Sequence, residues 1–172
     1  LKAWFDYETD FGEMILVKVG ISPVDVEGAK NNVKAEIPDW DFDGAKKDAK
    51  EKWEKQLDKI KVKGNNEDKE IFYTSLYHTM LAPNIYSDAD GRYRGHDLKI
   101  HQDSTFNMYT VFSLWDTFRT LHPLFTIIER ERTNDLINSM LDMYKHDGIL
   151  PVWELAANET NCMIGYNSIP VI

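Results

Sequence analysis

Two segments combine tryptophan, carboxylate and further hydrogen-bonding side chains inside otherwise apolar stretches: Ser113-Leu-Trp-Asp-Thr-Phe-Arg119 and Pro151-Val-Trp-Glu-Leu-Ala-Ala-Asn-Glu-Thr160. Polar groups in such a setting are costly to bury unless a partner satisfies them. A ligand is one such partner. A flat indole beside an acid and a guanidinium or amide suits a sugar, whose C–H face stacks on the ring while its hydroxyls donate and accept at the rim. The candidates for that contact are Trp115, Asp116, Thr117 and Arg119 in the first segment, and Trp153, Glu154, Asn158 and Glu159 in the second.

Each segment also has a purely structural reading. Asp116 and Arg119 are spaced to form a buried pair that fixes the orientation of a helix, and under either reading loss of Asp116 is expected to be severe. Asn158 and Thr160 have the chemistry of helix caps, and Asn158-Glu-Thr160 also matches a glycosylation sequon, a weak signal by itself. Asp88-Ala-Asp90-Gly91 resembles the start of a calcium loop, but the remaining ligands do not follow at the required spacing, so it reads as a turn. His78, His96, His101, His122 and His146 show no paired metal spacing and read as structural. Cys162 is the single cysteine, which rules out an internal disulfide, and no GxSxG, GxGxxG or P-loop pattern occurs.

Composition narrows the class. The net charge of -9 argues against nucleic-acid binding, which needs a concentrated basic surface, and fits a neutral ligand. No window approaches the roughly 20 apolar residues of a membrane span. The chain opens inside an apolar run without Met and closes on Ser168-Ile-Pro-Val-Ile172. It is therefore expected to be an internal piece of a longer protein.

The elements that must position these residues follow from periodicity. Residues 1 to about 22 alternate apolar and polar positions, with Ile15, Val17, Val19 and Ile21 on one face and Thr9-Asp-Phe-Gly12 between two runs, which predicts a hairpin. From Pro38 a Lys-, Glu- and Asp-rich stretch carries Ala49, Trp53, Leu57 and Ile60 at helical spacing, a connector helix with one solvated face. Gly64-Asn-Asn66 breaks it, and a further helix is predicted from about Glu67 to Leu81, ending before Pro83. Residues 84–108 read as an extended loop or small hairpin. Two more helices are predicted, Tyr109 to Leu121 and Thr133 to Tyr144, the second with Thr133 as N-cap and Gly148 just past its end.

Several motifs in order resemble the glycoside hydrolase family 92 α-mannosidases. They are Phe72-Tyr-Thr-Ser-Leu-Tyr-His-Thr-Met-Leu-Ala-Pro83, Tyr86-Ser-Asp-Ala-Asp-Gly-Arg-Tyr-Arg-Gly95, Tyr109-Thr-Val-Phe-Ser-Leu-Trp-Asp-Thr-Phe-Arg119, His122-Pro, Glu131-Arg-Thr-Asn-Asp135, Leu150-Pro-Val-Trp-Glu154, Asn158-Glu-Thr160 and Gly165-Tyr-Asn-Ser-Ile-Pro-Val-Ile172. The resemblance is close over residues 70 to 172. Two positions depart from it: family members often carry Gly where Ala157 stands and His where Asn167 stands.

The resemblance implies an exo-acting, inverting, calcium-dependent α-mannosidase acting on the α-mannosides of glycoproteins, N-glycans or mannans. Its implied fold is mostly α with an N-terminal β hairpin. Residues 1–37 would be the last strands of an N-terminal β-sandwich, 38–65 a helical linker, and 66–172 the opening hairpins of an (α/α)6 barrel. The catalytic acid and base and the Ca2+ ligands are expected beyond Ile172, with Glu154 and Glu159 the weak local alternatives for an acid. This stretch would then supply sugar recognition through Trp115, Asp116, Thr117, Arg119, Trp153, Glu154, Asn158 and Glu159. The implied location is periplasmic, outer-membrane-anchored or secreted in a bacterium. The alternative is a non-catalytic sugar-binding or structural homologue of the same fold.

Overall fold

A computed structural model describes residues 2–172. Three helices come first: α1 (Val26–Glu36), α2 (Phe42–Leu57) and α3 (Asn66–Thr79). Four short strands follow, β1 (Asn84–Ile85), β2 (Arg92–Arg94), β3 (Ile100–Gln102) and β4 (Tyr109–Thr110), then β5 (Phe112–Ser113). The chain ends with α4 (Leu114–Thr117), α5 (Leu121–Ile128), α6 (Arg130–Asp147) and β6 (Trp153–Glu154). The strands form three antiparallel pairs, β1 with β4, β2 with β3 and β5 with β6. The result is a mostly helical chain with small strand pairs.

The expected N-terminal hairpin is not formed. Glu13 N–H donates to the Asp10 carbonyl at 3.1 Å, so the turn exists, but residues 2–22 contain no strand. The alternating face has nothing in this chain to cover it: Val17, Val19 and Ile21 are 71%, 81% and 83% exposed. Two strands without a packed face are marginal in water, so the pattern alone does not close a ladder. The rest of the expected strand region is helical, since Asp25 caps α1 by accepting from Gly28 N–H at 2.6 Å.

That helix is docked by the Asp88–Gly91 turn. Asp88 is buried and accepts from Ser22 Oγ at 2.6 Å and Asn32 Nδ2 at 2.7 Å. Gly28 permits the approach, because a Cβ there would lie 2.2 Å from Asp88 Oδ2. The turn expected over this motif is therefore present, and its acids are spent on Ser22, Asn32 and, through Asp90, on Arg92 at 2.7 Å.

The connector helix α2 and the helix α3 form where periodicity places them, with Asp41 and Asn65 as caps. No residue of α2 is fully buried; Trp53 leans on Tyr77 with ring centroids 4.6 Å apart. The main core lies further on. It comprises Tyr93, Met108, Tyr109, Phe112, Leu114, Phe125, Leu136, Met140 and Met143. Leu136, Met140 and Met143 recur at helical spacing on α6, which packs against α5 and β4.

Two helix boundaries differ from expectation. The helix expected from Tyr109 to Leu121 is instead two strands and the single turn α4, because Val111 takes a left-handed φ of 70° and redirects the chain from one strand partner to another. The last long helix starts at Arg130, so Thr133 is not its cap; its hydroxyl donates back to the Glu129 carbonyl at 2.9 Å. Gly148 closes that helix with φ 74°, as expected. Lys59 Nζ meets Glu129 Oε1 at 2.5 Å and ties the segment after α2 to the α5–α6 corner.

His122, in the first turn of α5, is 3% exposed and burial pushes its pKa down to about 4. The unfolded chain titrates near 6.5, so below that pH it takes up a proton the native state refuses until about 4. Stability contributed above pH 6.5 is therefore lost between about 6.5 and 4. Thermal midpoints measured across that window should fall in the wild type and fall less steeply in His122→Leu; parallel curves would refute this.

Candidate functional site

The two tryptophan–carboxylate segments are neighbours. Strand β5 pairs with β6 in the register Phe112 with Glu154 and Ser113 with Trp153, and Leu114 N–H donates to the Val152 carbonyl at 3.4 Å. Two stretches about 40 residues apart in sequence thus become one small platform.

Its underside is organised by Glu154, which is fully buried. Its carboxylate accepts from Thr110 Oγ1 at 2.9 and 3.0 Å, Val111 N–H at 3.0 Å and Ala157 N–H at 2.9 Å. His96 Nε2 lies 3.9 Å from Glu154 Oε1, too long for a hydrogen bond but within Coulombic reach, while His96 Nδ1 is 2.7 Å from Asp147 Oδ2. Burial is the largest single influence on His96 and disfavours its charge, yet the Glu154 and Asp147 carboxylates together outweigh it and raise the pKa. Glu154 therefore locks a strained loop in place; this is a fully enclosed carboxylate facing internal donors.

Glu159, bridged to Glu154 a few residues after β6, plays a matching part. It accepts from Val152 N–H at 2.8 Å, Trp153 N–H at 3.1 Å and Asn161 N–H at 3.0 Å. Thr160 donates through its hydroxyl to the Trp153 carbonyl at 2.8 Å. Neither Asn158 nor Thr160 caps a helix, because residues 161–172 are not helical. Asn158 is exposed and exchanges backbone bonds with Leu155 at 2.9 and 3.1 Å.

The first segment faces outward. Asp116 is exposed and accepts from the Ser113 hydroxyl, and Thr117 Oγ1 donates to the Ser113 carbonyl at 3.0 Å. Trp115 is exposed, and the Arg119 guanidinium lies over its ring at 5.2 Å and over Phe118 at 5.2 Å. The buried Asp116–Arg119 pair is not formed. What remains is an indole, a carboxylate and a guanidinium on an accessible edge, backed by the buried Phe112 and Leu114.

Backbone strain collects on this platform. Val111, Ala156, Ala157 and Asn161 all have positive φ, of 70°, 49°, 64° and 52°. Such clustering of left-handed non-glycine residues is typical of sites where geometry is enforced by surrounding bonds. Ala157 is buried at the position where the family resemblance places Gly. Because a left-handed L-residue costs about 1 kcal/mol, Ala157→Gly should stabilise the protein by about 0.5–1 kcal/mol in chemical denaturation.

Thr110 and His96 are the positions that sequence reading missed. Each meets Glu154 across more than 40 residues, and neither has a local pattern that announces it. A cleft of about 1200 Å3 beside α1 and residues 103–107 touches this region only through Ala156, so the platform is an open shelf and not a closed pocket.

Comparison with known proteins places the chain in a family. The family model "Glycosyl hydrolase family 92 catalytic domain" matches residues 28–172. The chain belongs to glycosyl hydrolase family 92. Its structure superposes on a family GH92 α-mannosidase from Bacteroides thetaiotaomicron with a TM-score of 0.84 at 43% identity, covering 87% of this chain and 20% of that one. That enzyme has also been solved in complex with mannoimidazole. A family GH92 inverting mannosidase from the same organism matches with a TM-score of 0.80 at 31% identity, over 87% of this chain and 21% of the other. An uncharacterized secreted glycosidase of Arthroderma benhamiae is 25% identical over 163 residues, 92% of this chain and 17% of its own length. The family 92 chain described here thus spans about a fifth of the length of these relatives. Among its described residues no helix is long and apolar enough to cross a membrane.

Proposed function

We propose that the protein carrying this chain is an exo-acting, inverting α-mannosidase that releases mannose from N-glycans or mannans, and that this stretch supplies part of the subsite for the terminal sugar. The observation that carries the reading is the β5–β6 pairing, which brings both tryptophan–carboxylate segments of a family 92 chain into one shelf. Trp115 offers a stacking face, Asp116 accepts sugar hydroxyls, and Arg119 braces the indole. Thr117 fixes the turn, and Trp153 and Asn158 extend the shelf. Glu154 and Glu159 hold it from behind.

Hydrolysis with inversion needs one carboxylic acid to protonate the leaving oxygen and one carboxylate to activate water from the opposite face. With Glu154 and Glu159 engaged by internal donors, both catalytic groups are assigned to parts of the protein outside this chain. The calcium ion is assigned there too. Calcium takes six to eight oxygen ligands. Among the described residues, the three ligand atoms of His, Cys, Asp or Glu that converge are two imidazoles and one carboxylate, a donor set that does not fit it. The helices from α3 onward are read as opening hairpins of an (α/α)6 barrel and α2 as the linker; of residues 1–37, expected as the last strands of a neighbouring β-sandwich, those up to about 22 keep that reading, since Val26–Glu36 is helical. The location proposed is the bacterial periplasm, the outer-membrane surface or the medium, in keeping with the secreted relative.

The test is mannose release by the full-length protein from the α-mannobiose linkages, with calcium and with a chelator. Release that stops on chelation supports the proposal. No release from any linkage with calcium present would sink it.

A further inference from the structure

The β2–β3 hairpin and the last turn of α6 bring together three groups that the sugar shelf does not use: Asp97 in the turn, His101 on β3 and His146 on α6. One ligand atom from each lies within 4.8 Å of the others. His101 Nε2 is 2.9 Å from Asp97 Oδ1, and the rings of His101 and His146 stack with centroids 4.1 Å apart at 29°. All three residues are partly buried, so the cluster is held by its surroundings yet remains open to solvent. We propose that Asp97, His101 and His146 form a binding site for a divalent transition-metal ion, with Zn2+ the best match, which staples the β2–β3 hairpin to the C-terminal end of α6.

The donor set selects the metal class. Two imidazoles and one carboxylate suit zinc, cobalt or nickel, whereas calcium and magnesium prefer oxygen alone. Three protein ligands leave a fourth position for water.

The surroundings hold the three ligands close together, and binding one ion turns the stacked His101 and His146 rings so that their in-plane lone pairs converge on it. Asp97 is fixed by accepting from Lys99 N–H at 3.0 Å, inside a turn closed by Gly95 and Leu98. Gly95 has to be glycine for the cluster to close: a Cβ there would stand 2.7 Å from His101 Cδ2, 2.9 Å from its Nε2 and 3.0 Å from Asp97 Oδ1. Behind His146, its Nδ1 has no hydrogen-bond partner and lies 3.4 Å from Asp142 Oδ2, which accepts from Tyr93 at 3.0 Å. If His146 binds metal through Nε2, its Nδ1–H faces that carboxylate, the arrangement that orients ligating histidines and raises their basicity. The C-terminal end of α6 adds the negative pole of the helix dipole. Lys99 Nζ is 3.7 Å from Asp97 Oδ2, and its side chain is 79% exposed and free to swing aside.

The experiment uses the full-length protein, stripped of metal and returned to calcium-containing buffer so that any calcium site stays filled. Zn2+ is titrated calorimetrically, and Co2+ is titrated in parallel while its visible absorption is followed. One equivalent of Zn2+ should bind, Co2+ should give ligand-field bands more intense than those of the aqueous ion, and the thermal midpoint should rise with zinc. The His101→Gln and His146→Gln variants should each weaken Zn2+ binding about 100-fold or more, and Asp142→Asn, a change behind the ligands, about 10-fold. Binding of Zn2+ to the His101→Gln/His146→Gln protein as tight as to the wild type would overturn the proposal. So would a wild-type Co2+ spectrum no different from the aqueous ion, a result that needs no variant to fold.

Discussion

Replacing Glu154 with Ala should cost about 3–5 kcal/mol of stability, the largest loss expected from any single side chain of the platform. The carboxylate is fully buried and answers the Thr110 hydroxyl and the amides of Val111 and Ala157, with His96 3.9 Å away. Truncation leaves those donors facing a void, and each unsatisfied buried group costs about 1–3 kcal/mol. It also releases the bonds that hold Val111 and Ala157 at positive φ. Glu154→Gln keeps one acceptor oxygen and should lose roughly half as much. Chemical denaturation of the two variants measures both. This pair of variants also separates a supporting role from a catalytic one. If Glu154 were the acid, Glu154→Gln would abolish turnover even where the variant stays folded; the geometry instead predicts that activity follows the folded fraction.

Asp116→Asn should do the opposite. Its side chain is exposed, and its one internal partner is the Ser113 hydroxyl, so the thermal midpoint should barely move. Yet a carboxylate that accepts hydrogen bonds from sugar hydroxyls contributes about 1.5–3 kcal/mol, so kcat/KM for mannoside hydrolysis by the full-length protein should fall about 10- to 100-fold. This corrects the expectation that loss of Asp116 is severe whichever role it plays. The structural version of that severity required a buried pair with Arg119, and the guanidinium lies instead on Trp115. A variant that loses stability along with activity would restore the buried-pair view.

What the sequence made legible was the part written in local chemistry. The break at Gly64, the left-handed Gly148 and the turn at Asp88–Gly91 each follow from a residue type at a fixed offset, whereas the caps Asp41 and Asn65 emerged only with the structure. The motif order that resembles family 92 is likewise a property of the linear chain, and the match over residues 28–172 agrees with it. What was illegible depends on partners distant in sequence. The apolar run from Tyr109 to Leu121 has enough hydrophobic residues for a buried helix, and only the meeting of Val111 and Thr110 with Glu154 turns it into two strands. Residues 2–22 alternate as a strand should, but alternation states a preference for a face and supplies no face to pack on. His101 and His146 are 45 positions apart and have no motif spacing, so their meeting could not be read before the hairpin and α6 were placed side by side.

The central claim is that the shelf built by β5 and β6 holds a mannose ring through Asp116. Equilibrium titration of the full-length protein with mannoimidazole reads that contact without depending on the chemistry of bond cleavage. Saturable binding to the wild type, weakened about 10- to 100-fold in Asp116→Asn at an unchanged thermal midpoint, is the predicted result. Equal affinity of the two proteins for mannoimidazole, or no binding by the folded wild type, would contradict it.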